Sequence, residues 1–196
     1  KGDDVALIEV NSETDFVAKN QEFIKFCKEL SKINLEAKGE IEKINESRME
    51  NKSSVKDNLV NLISKIGEKI TIRRSNFLNG ADGKNYHYVH SAVEKNIGKI
   101  AAIVKLKNTV EGKNSDIGLK LAMHIAATNP LAINKEGIKK EVLNKELEII
   151  KEELLNSGKN KDIVEKISAG KINKFINDNT LLNQEWIIDP KKKVSE

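Results

Sequence analysis

Residues 5–10, VALIEV, form an apolar run broken only by Glu9. A short run of this kind predicts a mostly buried strand. The period then changes. Phe23, Cys27, Leu30 and Ile33 recur at four- and three-residue steps, the stripe of a helix laid on a sheet. Residues 36–57 are polar and weakly patterned, which predicts a loop running into a surface helix that starts near Ser53. Leu59, Leu62, Ile63 and Ile66 give that helix its own stripe, and Gly67 is placed to end it. KITIRRSNFL (69–78) alternates in strand fashion, and Asn79-Gly80 and Asp82-Gly83 are two turn signals. Residues 85–91 and 98–106 read as two further strands. The expected first half is one antiparallel sheet of 5–10, 69–78, 85–91 and 98–106, flanked by helices near 15–35 and 54–66. Strands running in a meander beside helices define α+β rather than alternating βαβ.

A new unit starts near Asn114. NSDIGLKLAMHIAATNP predicts a helix with Ser115 as N-cap, stopped by Asn129-Pro130. Leu143, Leu147, Ile150 and Leu154 then step by four, three and four, a heptad-like seam. NSGKNK turns the chain, and Ile163, Val164, Ile167, Ile172, Phe175 and Ile176 supply the answering face. Two antiparallel helices joined by a short loop make an αα-hairpin. LLNQEWIIDP (181–190) reads as a last strand ending at Pro190. The expected architecture is therefore α+β: antiparallel sheets flanked by helices, with a projecting antiparallel helical hairpin. Residues 1–110 form one half of the core, 111–138 with 178–196 the other, and 139–177 the hairpin.

Composition removes several function classes. No run of 18 apolar residues exists, so no segment reads as a membrane span, and residues 1–10 do not read as a signal peptide. The chain opens inside a predicted strand, which points to a leader cut away ahead of it. Cys27 is the single cysteine; it excludes an internal disulfide and fits a reducing compartment. Thirty-four Lys and Arg against 30 Asp and Glu give +4, too mild and too mixed to argue for nucleic acid by itself. No G-x-x-x-x-G-K-[ST] or G-x-G-x-x-G loop is present. His87 and His90 have H-x-x-H spacing, but on a strand that separation sends the rings to opposite faces. Arg73 and Arg74 are adjacent strand residues, so one at most faces any given surface. No catalytic cluster emerges; the expectation is a non-enzyme without cofactor or metal. An RNA-binding translation domain stays open on the basic excess and the arginine pair, against sparse aromatics.

Two residues admit two readings each. His124 falls seven residues after Ile117 and three after Leu121, so it shares the apolar side of its helix. Spacing favours a core histidine; the other reading places it at the rim of a binding surface. Phe16 lies seven residues before Phe23, so an unbroken helix would bury it. Against that, it follows Glu13, Thr14 and Asp15 in a polar helix start, with Thr14-Asp15 capping a short turn, and Asn20 breaks the stripe. Exposed rings at helix tips are usually contact anchors.

The blocks IEVNSETDFVAKNQEF, KIGEKITIRR, GKIAAIVKL, MHIAATNP and EWIIDP, in this order over nearly all of residues 5–196, closely resemble the translation elongation factor Ts family. T-D-F-V with K-I-G-x-x-I-x-x-R-R is highly specific to it. The resemblance implies a cytoplasmic guanine-nucleotide exchange factor that binds elongation factor Tu, its G domain and an adjoining domain, without chemistry, cofactor, membrane or direct nucleic-acid contact. It implies that Asp15 and Phe16 intrude near the partner's magnesium and phosphate sites. It assigns further contacts to His124, to Ile100 and Ala101 of the G-[KR]-I-[GA] strand, and to Ile187 and Ile188 near the hairpin base. Members commonly carry glycine where this chain has Ala101. The hairpin resembles the family's coiled-coil or dimerisation module. The resemblance also implies an N-terminal helical module and a further C-terminal strand outside these 196 residues.

Overall fold

The computed structural model describes residues 3–107 and 116–196, and the expected N-cap at Ser115 lies outside them. The chain divides into two compact units, Lys1–Ala126 and Ala127–Glu196. The first contains β1 (Val5–Asn11), α1 (Asp15–Ala18), α2 (Gln21–Glu36), α3 (Ile41–Glu46), α4 (Val55–Ile66), β2 (Thr71–Leu78), β3 (Lys84–Glu94), β4 (Ile97–Leu106) and most of α5 (Ile117–Thr128). The α+β class expected from the chain's pattern is what forms.

The strands pair antiparallel, but as separate ribbons. β1 pairs β2 and β3 pairs β4, instead of one four-stranded sheet. At the end of the first ribbon the side-chain amide of Asn85, from β3, donates to the carbonyls of Asp3 at 2.6 Å, Leu78 at 3.0 Å and Asn79 at 2.9 Å. The first ribbon packs under α2, whose Phe23, Phe26, Leu30 and Ile33 are buried with Ile44, Val55, Leu62 and Ile70 in one core. Ile44 belongs to α3, a helix inside the stretch expected to be loop. Two isoleucines three residues apart, Ile41 and Ile44, give that polar stretch the single apolar edge it needs. Ser54 caps α4, accepting from the Asp57 N–H at 3.0 Å, and Gly67 ends it in left-handed backbone at φ 78°.

The second ribbon carries a smaller core of Ala102, Val104 and Ala122, with Tyr88, Leu106 and Leu121 against it. α5 approaches closely because its facing residues are small. A β-carbon added at Gly118 would fall within the Tyr86 ring.

The second unit holds α6 (Lys140–Asn156), α7 (Lys161–Asn179), and the two short strands β5 (Glu185–Trp186) and β6 (Asp189–Lys193). α6 and α7 form the expected hairpin around Ile150, Leu154 and Val164, with Ile167 and Ile172 beside them. Gly158, at φ 79°, closes α6: its N–H donates to Leu155 O and that of Lys159 to Leu154 O. Asn160 then caps α7 by accepting from the Ile163 N–H at 3.0 Å. Ile163 itself is 45% exposed rather than part of the seam; in the first turn of α7, the core position goes to Val164. The expected single strand at 181–190 is corrected too. Leu181–Asn183 is a 3-10 turn, and β5 folds back on β6, pairing Trp186 with Asp189. Pro190 lies within β6 instead of ending a strand.

The same substitution should act oppositely at two helical glycines. Gly118→Ala overpacks against Tyr86 and should cost about 1–3 kcal/mol. Gly170, in the middle of α7, has open space around its would-be β-carbon. Gly170→Ala should therefore stabilise by about 0.5–1 kcal/mol through helix propensity alone. Chemical denaturation of both variants checks the pair.

Candidate partner-binding site

Phe16 is 87% exposed and its neighbour Val17 only 4%. The break at Asn20 produces this division. Asn20 is the N-cap of α2, its side-chain oxygen accepting from the Glu22 N–H at 2.8 Å and the Phe23 N–H at 3.4 Å. A new helix start rotates α1 out of phase with α2, so the seven-residue step from Phe16 to Phe23 no longer shares a face. Val17 takes the core position and the ring is left on the tip. Bonds of i to i+3 type, Lys19 N–H to Phe16 O and Asn20 N–H to Val17 O, tighten the end of α1.

The expected capping by Thr14 and Asp15 takes another form. Thr14 occupies the N-cap position but makes no side-chain bond to α1. Its hydroxyl donates to both Glu68 carboxylate oxygens, at 2.8 and 3.1 Å, and its N–H donates to Glu68 Oε2 at 3.1 Å. Glu13 Oε2 in turn accepts from the Lys69 N–H at 3.1 Å. Asp15 pairs with Lys99, whose ammonium reaches both carboxylate oxygens at 2.9 and 3.0 Å. That hydrogen bond and the lysine's charge hold the Asp15 carboxyl below its ordinary range. The pair ties the α1 tip to β4 one residue before Ile100, which is 46% exposed; Ala101 is half-buried. The first unit thus brings Asp15, Phe16, Ile100 and Ala101 into one neighbourhood.

His124 departs from the exposure that a partner-lining residue needs. It is completely buried, the core alternative that its spacing favoured, on the side of α5 shared with Leu121. In the second unit, Ile187 and Ile188 are the two-residue turn of the β5–β6 hairpin, 40% and 48% exposed. Turn chemistry favours Gly, Asn or Asp at such positions. Two β-branched apolar residues there contribute little to the turn and present apolar surface.

The remaining candidates resolve structurally. Arg73 and Arg74 both bond Glu9, through Arg73 Nη1 at 2.8 Å and Arg74 Nε at 2.5 Å. The expectation of opposite faces fails because the register slips between Glu9 and Val10, leaving Arg73 as a bulged extra residue. Partial burial pushes the Glu9 carboxyl up, but the two arginines outweigh it and its pKa is lowered. His90 Nδ1 lies 3.0 Å from the Tyr88 hydroxyl. Burial pushes the Cys27 thiol up to about 12, far from a reactive thiolate. Among the described residues no group of three His, Cys, Asp or Glu could hold a metal, and no helix is long and apolar enough to cross a membrane. Sequence reasoning missed Glu68 and Lys99. No local signal pointed to Glu68: the third position of α1, where a capping box keeps its Glu or Gln, holds Val17, which marks a missing cap without saying what replaces it.

These features place an exposed ring on a clamped helix tip near an exposed strand residue. The family described as Elongation factor TS matches residues 13–196. The chain is 39% identical over 197 residues to the elongation factor Ts of Methylobacterium nodulans, covering all of this chain and 64% of that protein. It is 37% identical over 193 residues to the elongation factor Ts of Parvibaculum lavamentivorans, covering 97% and 63% of the two. The elongation factor Ts of Xanthobacter autotrophicus is 39% identical over 193 residues, covering 97% and 62%. The chain belongs to the elongation factor Ts family. It spans just under two thirds of the length of these curated relatives.

Two measurements test the site's construction. Phe16→Ala should change the unfolding free energy by less than about 0.5 kcal/mol, whereas Phe23→Ala, seven residues on and buried, should cost about 3–5 kcal/mol. In a carboxyl NMR titration Asp15 should ionise below its ordinary pKa, and Lys99→Met should move its midpoint up. The sign follows from the depressed pKa: the pair is complete above the ordinary carboxylate range and is lost as pH falls through the lowered value.

Proposed function

We propose that the chain acts as a guanine-nucleotide exchange factor that binds elongation factor Tu and promotes GDP release during translation elongation in the cytoplasm, with no covalent chemistry of its own. The observation that carries this reading is Phe16, exposed on a tip whose neighbours are fixed on both sides. Leaving a phenyl ring in water forfeits about 2 kcal/mol of burial, and docking in an apolar crevice of a partner recovers it. Family membership supplies the partner. Asp15 and Phe16 enter the G domain near its magnesium and phosphate sites, Ile100 and Ala101 extend that contact, and Ile187 and Ile188 offer a second apolar one. His124 supports the fold from inside and is left out of the surface.

A nucleotide held with Mg²⁺ leaves slowly because many phosphate contacts must break together. A wedge that displaces the loops holding metal and phosphate removes several at once. Linkage then requires factor and nucleotide to weaken each other's binding equally. A binding surface is sufficient for such a catalyst. Self-association through the hairpin is part of the proposal, supported by Val142 and Ile149, one heptad apart and 38% and 43% exposed on α6.

Release of a fluorescent GDP from elongation factor Tu, followed by stopped flow, tests this reading. The protein should accelerate release, and Phe16→Ala should reduce that acceleration about 10–30-fold, the equivalent of the recovered burial. A protein that leaves the release rate unchanged, or a Phe16→Ala variant as fast as its parent, would contradict it.

A further inference from the structure

A four-residue helix is too short to hold itself together in water. α1 also lacks the usual aid, since Thr14 gives it no side-chain cap and Val17 cannot complete a capping box. Something from outside the segment must fix the tip. The Glu68 carboxylate, 54 residues away, takes the Thr14 N–H and the Thr14 hydroxyl together. In a capping box a glutamate inside the helix accepts the N-cap N–H. Here that carboxylate arrives from the junction ahead of β2, directly after the left-handed Gly67 that ends α4. Lys69 N–H holds Glu13 at the same junction.

We propose that Glu68 is a positioning residue: a capping carboxylate supplied from the α4–β2 junction that preorganises α1 and so fixes the direction in which Phe16 is presented. The assignment rests on the exchange reading for its consequence, though not for its geometry. Glu68 touches neither nucleotide nor partner in this role; it acts through Thr14. Its two oxygens receive three contacts from one residue, so the local frame of α1 is set by a charge-assisted bond instead of by its own sequence. A preorganised ring avoids the entropic cost of being ordered on binding. Losing the clamp should therefore weaken the action of Phe16 without touching the ring.

The test uses the full-length protein with Glu68→Ala, Glu68→Gln, Thr14→Val and Thr14→Ser. Amide hydrogen exchange should rise at residues 16–19 in Glu68→Ala and Thr14→Val, with the α2 core and the melting temperature unchanged. Thr14→Ser, which keeps the hydroxyl, should behave as the parent. Glu68→Gln has one accepting oxygen for two donor groups and should be intermediate. In the GDP-release assay, Glu68→Ala should cut stimulation about tenfold, as for loss of one charge-assisted hydrogen bond. In a Phe16→Ala background it should cut it no further, because both changes remove the same action. Unchanged exchange at residues 16–19 would overturn the clamp. Protection lost throughout the core, or a penalty that persists in the Phe16→Ala background, would make Glu68 a general structural residue and overturn the positioning role. Normal stimulation by Glu68→Ala would overturn it as well. Should the parent protein itself fail to release GDP, the exchange reading falls, and the hydrogen-exchange comparison still decides whether Glu68 holds α1.

Discussion

Val17 packed into the α2 core is the contact on which the arrangement of this surface depends. It is one of the buried residues of the main cluster, and it belongs to a helix of four residues that the next helix does not continue. Because Asn20 restarts the chain as an N-cap, one apolar residue of the pair Phe16-Val17 must turn inward and the other outward. The smaller one goes in. The larger one is left where a domain core would normally claim it, and its exposure is a result of backbone phase, not of loose packing.

Once Val17 anchors the tip from beneath, polar groups fix it from the sides. Asp15–Lys99 is an exposed ion pair, worth about 0–1 kcal/mol, and the Thr14–Glu68 hydrogen bonds are exposed too, so these contacts contribute little to global stability. Their effect is directional. They restrict a segment that Val17 anchors in the core, and they do so from β4 and from the α4–β2 junction. On the proposed exchange reading such stiffness matters, because a mobile ring would yield before a partner's loops did. The Ile187-Ile188 turn of the other unit shows a related economy: apolar side chains occupy a position where turn geometry alone would choose differently.

Much of this was legible in the chain. The α2 and α4 stripes, Gly67, the hairpin seam and the antiparallel strands follow from periods and caps, which are local. Several of the failures share a cause, a partner distant in sequence. A bulge turns Arg73 and Arg74 to the same carboxylate. Two isoleucines make α3 helical only because a core is there to receive Ile44. For Phe16, period alone pointed to the core, and the break at Asn20 with the family resemblance pointed outward; the structure sides with the break. For His124 the period was the better guide, and the exposure implied by the resemblance is absent. Glu68 could not be assigned a role until the fold brought it to Thr14.

The central claim is that one ring, exposed in the free protein, is buried by the partner. Hydroxyl-radical footprinting of the phenylalanines, free and mixed with elongation factor Tu, measures this directly. Phe16 should oxidise readily in the free protein and become protected in the complex, while Phe23 and Phe26 stay protected in both. A Phe16 already protected in the free protein, or one equally reactive in the complex, would contradict the account.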